Sequence, residues 1–246
     1  DKLRAFRKQM DSLWYLEYDR SRLIQLIRRA ENFITSDRLE IARIMRFKGA
    51  TLLRIDPKVA LKYHEDALQI FQEEYSLPDM SRNLAITGIQ RIIYGHNIKK
   101  GFREVQRSIS LFQELGEIRY ELIEKIYRNN CFFSFGLLQE IGDEFNNMLN
   151  IGEKIGDFHS LTEINMLMSG RFEDVGNFEE AIALTLKALE YSRKSNIEIL
   201  NPKIFAELTR PYAIIGDLKK TNHYFVTGVG GSFLLTCSGF FSNGIA

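Results

Sequence analysis

The sequence predicts an all-α fold, an α-α superhelix of stacked antiparallel helix pairs. Apolar residues recur three and four positions apart from residue 1 to about 222, the period of a helix with one buried face. Small residues seven apart follow polar turns: Ala60 and Ala67 in DPKVALKYHEDALQIF, then Ala181 and Ala188 in GNFEEAIALTLKALEY. The spacing between such units averages about 40 residues. A two-helix unit cannot bury its apolar face alone, so the units must stack. The expectation is a right-handed solenoid of about five to six pairs over residues 1–222.

Taken in order, a first unit closes near Ala30 in SRLIQLIRRAENFI. The next opens after Asp56-Pro57, where a proline at the first helical turn removes an N–H that had no partner. Ala60, Tyr63, Ala67, Ile70 and Phe71 form its apolar stripe, with Lys62, Glu65, Asp66 and Gln69 facing away. Short side chains at the paired positions let two helices approach closely. Gly101 and Ser108 take these positions after Gly95, and Met148 and Ile155 take them in GDEFNNMLNIGEKIGD. The first small positions, Ala60, Gly101, Met148 and Ala181, are separated by 41, 47 and 33 residues. Asn177 is placed to cap the helix of the Ala181 unit, with Glu180 three residues on. A last unit begins at NPKIFAELTRPYAIIGDLKKT.

Residues 223–246 are expected to form a separate, irregular apolar tail. From residue 224 on there is no charged side chain and there are five glycines. Gly228 falls on the second small position, and Gly230-Gly231 make further helix costly. Phe225, Phe233, Phe240 and Phe241 are too apolar for a solvated tail. Three readings stand: a cap over the open end of the solenoid, a sequence replacing the native continuation, or a tail anchor.

Composition narrows the functional classes. The 246 residues are 45% hydrophobic and 26% charged, and 33 Lys+Arg against 32 Asp+Glu leave a formal charge of +1. No global field draws this segment to nucleic acid, and membrane contact is expected only through residues 224–246. Cys131 and Cys237 form no CxxC pair, so neither a disulfide framework nor a zinc site is expected. The chain begins at Asp1 without a signal-peptide pattern, and reads as a cytoplasmic piece of a longer protein. His64, His96, His159 and His223 are scattered and outside any ligand cluster, and are expected between helices or facing solvent. No metal, cofactor or catalytic constellation is read, and Gly228-x-Gly230 lacks the third glycine and following helix of a dinucleotide site.

Gly49 with Leu52 before Ala60-x6-Ala67, and Gly170 before Ala181-x6-Ala188, resemble the tetratricopeptide-repeat (TPR) family. The resemblance is to the longer repeats of bacterial and archaeal signalling regulators and covers roughly residues 1–222. It implies an interaction module, the sensor or partner-binding part of a signal-transduction or transcriptional regulator.

In such an array the first helix of each pair lines a concave face. Counting back from each glycine places Arg43, Arg46, Arg82, Asn130, Arg171 and Arg210 at or near it. A basic groove would suit a carboxylate or an acidic peptide, because guanidinium groups hold oxyanions through two parallel hydrogen bonds. The competing reading pairs these arginines with glutamates on neighbouring helices. In YRNNCFF, adjacent Arg128, Asn129 and Asn130 point to different helix faces, so they cannot all line one groove. The function expected is a non-catalytic protein- or peptide-binding scaffold. The alternative is a structural module whose ends or convex face drive homo-oligomer assembly.

Overall fold

The protein is represented by a computed structural model. It describes the backbone of residues 2–12, 20–33, 37–137, 144–195 and 201–239. Side chains are described for 5–10, 20–33, 37–137, 144–195 and 201–228. Among the described residues there are twelve α-helices and no strand. They are α1 (Lys2–Ser12), α2 (Arg20–Glu31), α3 (Arg38–Leu52), α4 (Pro57–Glu73), α5 (Leu77–Ile93) and α6 (Ile98–Glu114). These are followed by α7 (Ile118–Ser134), α8 (Glu144–Ile155), α9 (Phe158–Asp174), α10 (Phe178–Ser195), α11 (Asn201–Ile214) and α12 (Leu218–Gly239). Packing divides the chain into two compact units, Asp1–Cys131 and Phe132–Ala246, with the boundary inside α7.

Acidic or amide side chains start the helices. Asp56 accepts the Val59 N–H at 3.1 Å in front of Pro57, and Asn177 accepts the Glu180 N–H at 3.3 Å. Asp37, Asn97, Asp157 and Asp217 cap α3, α6, α9 and α12 in the same way. Each satisfies an N–H that the helix itself leaves unbonded. At the other end of α9, Gly176 adopts φ +78°, and the Asn177 N–H reaches the Phe172 carbonyl at 2.9 Å. That left-handed turn suits glycine and reverses the chain into α10.

In the first unit α3 pairs with α4 and α5 with α6, while α4 joins the pairs by packing on α5. Ala60 and Ala67 are fully buried in the α3–α4 seam. Between α5 and α6 the contact is backbone to backbone: a Cβ on Gly101 would stand 2.6 Å from the Gly88 carbonyl oxygen, and one on Gly88 2.7 Å from that of Gly101. Ser108, the second small position of α6, is fully buried and donates to the Ser81 carbonyl at 2.8 Å.

In the second unit α9 pairs with α10 and α11 with α12. Ala181 and Ala188 are fully buried, and Ser169 donates to the Ala181 carbonyl at 2.8 Å. Met148 is buried but Ile155 is exposed, so the weaker unit keeps one of its two contact positions.

The C-terminal expectation needs correction. α12 continues through Gly228, Gly230 and Gly231 to Gly239 rather than giving way to irregular chain after residue 222. Gly228 serves as the second small position it was read to be, since a Cβ there would lie 3.1 Å from Phe205 Cβ on α11. Each glycine costs a helix only about 1 kcal/mol, and the last of the four prolines lies at 211. Tyr224 stacks on Tyr212 and Phe205 with centroids 5.5 and 6.2 Å apart, which anchors the helix on α11. Residues 240–246, with Phe240 and Phe241, lie outside the described residues. Among the described residues no helix is long and apolar enough to cross a membrane.

Candidate functional site

The five arginines picked out for ligand binding lie on first helices of packed pairs, and Asn130 lies on α7. Arg43 and Arg46 are on α3, Arg82 on α5 and Asn130 on α7, all within the first unit. Arg171 on α9 and Arg210 on α11 belong to the second.

Arg43 and Arg46 converge on one carboxylate. Arg43 donates to Asp79 Oδ2 from Nε at 2.9 Å and from Nη2 at 2.7 Å, and also pairs with Glu40. Arg46 is buried, reaches Asp79 Oδ1 at 3.3 Å and lies near the rings of Phe47 and Phe71. Burial pushes the Asp79 carboxyl up, but the Arg43 hydrogen bond and the charges of Arg46 and Arg43 outweigh it and hold Asp79 below the ordinary range.

Arg210 is mostly exposed and donates from Nε to Glu173 Oε2 at 2.6 Å. The Glu173 carboxyl is almost fully buried. Burial raises its affinity for a proton by more than Arg210 lowers it. Asn130 is half-buried. Its neighbour Asn129 is fully buried, so the two adjacent asparagines do occupy different faces.

Arg82 and Arg171 differ from the other arginines. Each is half-buried, and neither has an ion-pair partner among the described residues. The Arg82 guanidinium stacks 4.5 Å from the Tyr120 ring centroid on α7, and its Nε has no hydrogen-bond acceptor. Stacking fixes the plane of a guanidinium while leaving its edge free to meet an oxyanion.

The reading that pairs these arginines with glutamates holds for Arg210 on Glu173, while Arg43 and Arg46 meet Asp79; which acids they meet was not read from the sequence. Arg43–Asp79 and Glu173–Arg210 are 36 and 37 residues apart, about one repeat. An arginine and an acid one repeat apart on first helices was the available signal. Also unforeseen was Glu124 on α7, buried with one carboxylate oxygen unpartnered and pushed up to about 8 by that burial. Burial therefore favours its neutral form. No group of three or more His, Cys, Asp or Glu side chains could hold a metal ion among the described residues.

The described helix pairs have the arrangement of known helical-repeat proteins. Aspartyl phosphate phosphatase F from Bacillus subtilis is 16% identical and matches 94% of this chain with a TM-score of 0.66. This chain spans 60% of the length of that protein. BtubC (BKLC) from P. vanneervenii is 11% identical and matches 90% of this chain and 92% of its own, also at 0.66. The apo form of RapI is 13% identical and matches 94% and 76%, at 0.65. The fold is that of a TPR-like helical-repeat domain. No protein-family model matches the sequence, and no curated protein matches it.

Proposed function

We propose that this TPR-like chain is a non-catalytic scaffold that binds a protein or peptide through its first-helix surface, within a larger signal-transduction or transcriptional regulator. The observation carrying this reading is the contrast among the arginines. Arg43, Arg46 and Arg210 are tied to Asp79, Glu40 and Glu173, whereas Arg82 and Arg171 have no ion-pair partner among the described residues. The basic-groove reading therefore narrows to Arg82 in the first unit and Arg171 in the second, each a position for a ligand carboxylate. The fold likeness to aspartyl phosphate phosphatase F and to RapI supports placing the chain among regulators.

The test uses arrays of random peptides, one acidic and one neutral, exposed to labelled protein. Wild type is expected to retain the acidic set. Arg82→Gln and Arg171→Gln are each expected to weaken capture about tenfold, roughly 1.4 kcal/mol, with the melting temperature unchanged. Equal retention of both arrays, or undiminished capture by both variants, would remove the basic-surface reading.

A second reading, self-association through the last helix pair, is supported by Leu218, Phe225 and Val226. They share one face of α12 and are all more than half exposed. In sedimentation equilibrium this reading expects a dimer for wild type and a monomer for Phe225→Asp, whereas a monomeric wild type excludes it.

A further inference from the structure

The α3, α4 and α5 helices enclose a line of hydrogen-bonding groups that is one proton short. The Gln90 amide nitrogen on α5 donates to the Pro57 carbonyl on α4 at 2.6 Å. The Gln90 carbonyl oxygen faces His64 Nδ1 at 2.8 Å, and His64 Nε2 faces the Arg46 carbonyl of α3 at 3.1 Å. Both ends of this line are backbone carbonyls, which only accept. An amide offers one donor end and one acceptor end, and so does a neutral imidazole. Three contacts therefore share two hydrogens. Turning the Gln90 amide over moves the deficit to Pro57, and changing the imidazole tautomer moves it to the other ring nitrogen. Only an imidazolium fills all three.

The surroundings oppose that charge. His64 is fully buried, and Gly49 leaves the ring no space above it, since a Cβ at that position would collide with Nε2. The charged groups bordering it are already matched to one another. Arg43 and Arg46 on α3 pair with Asp79 on α5. Arg91 on α5 pairs with Glu65 on α4 and Glu104 on α6. No carboxylate among these is left over for an imidazolium, and the Arg46 charge repels one. Burial, above all, drives the His64 pKa down to about 4. The same turn of α4 is held by Asn83, whose amide donates to the His64 carbonyl at 2.6 Å.

We propose that His64 is an acid-sensitive pin of the α3–α4–α5 seam: neutral, it holds the three helices together with one contact unfilled, and protonation drives it out and loosens them. With the Gln90 amide nitrogen committed to Pro57, the shorter of the two ring contacts, 2.8 Å at Nδ1 against 3.1 Å at Nε2, takes the single ring hydrogen, and Nε2 meets the Arg46 carbonyl bare.

Nuclear magnetic resonance of the wild-type chain labelled with 15N-histidine tests this directly. The expected result is a neutral ring with its hydrogen on Nδ1 at pH 7, titrating with a midpoint of about 4. Amide protection in α4 and α5 is expected to fall through the same midpoint, while α10 and α11 stay protected. A ring titrating near 6.5, or seam amides that remain protected while it titrates, would overturn the proposal. Gln90→Glu places a carboxylate beside Nδ1, so an imidazolium can stay in place: the ring midpoint is expected to rise by at least one pH unit and the acid loss of α4 and α5 protection to shrink. A raised midpoint with the acid loss of protection undiminished would also overturn it.

Discussion

Two seams between successive helix pairs solve the same packing problem with opposite chemistry. In the first unit α5 meets α4 through Asn83, Gln90 and Arg91, set against His64, Glu65 and the Pro57 carbonyl, while Asp79 gathers Arg43 and Arg46. In the second unit α11 meets α10 through Ile204, Leu208 and Tyr212, set against Ile182, Ala188 and Leu189. Its hydrogen bond between Ser192 and Asn201 lies at the N-terminal end of α11. Burial of apolar area is non-directional, so the second seam tolerates changes that conserve volume. Buried polar groups need every partner in place, so the first seam is specific but fragile, and it responds to pH.

The largest effect expected from breaking this contrast is Leu208→Asp. A carboxylate with no partner in the apolar seam should lower stability by more than about 4 kcal/mol and unfold the second unit in thermal melts. A loss below about 1 kcal/mol would mean that the seam is wetter than its residues suggest. Leu208→Met should stay within about 1.5 kcal/mol.

The pH response of the first unit comes next, with two buried groups acting in opposite senses. His64 is lowered from 6.5 to about 4, so the unfolded chain binds the extra proton between those values and stability falls as pH drops through them. Glu124 is raised from 4.5 to about 8, so the folded chain holds the extra proton and stability falls as pH rises across that window. The two slopes oppose each other between 4.5 and 6.5, which leaves a plateau. Above 6.5 only the decline due to Glu124 remains, on the order of 2 kcal/mol by pH 8. Urea midpoints measured across pH should show the plateau and the decline, and Glu124→Gln should flatten the alkaline side. An unchanged alkaline slope in that variant would place its origin elsewhere.

The smallest effect belongs to the polar contact of the second seam. Ser192→Ala removes the 2.9 Å hydrogen bond to Asn201 and should cost about 1 kcal/mol in urea unfolding. A cost above about 3 kcal/mol would show that this seam also depends on polar matching.

How much of this could be read from the sequence follows from the kind of signal involved. Ala60, Ala67, Ala181 and Ala188 are small, regularly spaced and fully buried, so periodicity alone located the helix pairs. Asn177 was legible as a cap because that chemistry is local. The reach of α12 was not, because docking of Tyr224 on α11 outweighs a run of glycines that reads as a stop. The polar seam was hidden for a related reason. Asp79, Asn83, Gln90 and Arg91 occupy one helical face at the spacing of an apolar stripe, and only the facing His64, Arg43 and Glu65 explain why they can be buried. For the candidate arginines, the placement on α3, α5, α9 and α11, each the first of a packed pair, was legible. Which arginines had already been claimed by Asp79 and Glu173 was not.

The first seam rests on matched charge as well as on the apolar packing of Ala42, Ala67 and Phe71, and the contribution of the charge is the central claim. A double-mutant cycle on Asp79 and Arg46, read by urea unfolding, tests it directly. Asp79→Leu alone should cost about 3–5 kcal/mol, because it takes the carboxylate away from buried Arg46, and Arg46→Met should cost less, because Arg43 still holds Asp79. Together they should cost less than Asp79→Leu alone. A double variant whose loss equals the sum of the two single losses would contradict the account.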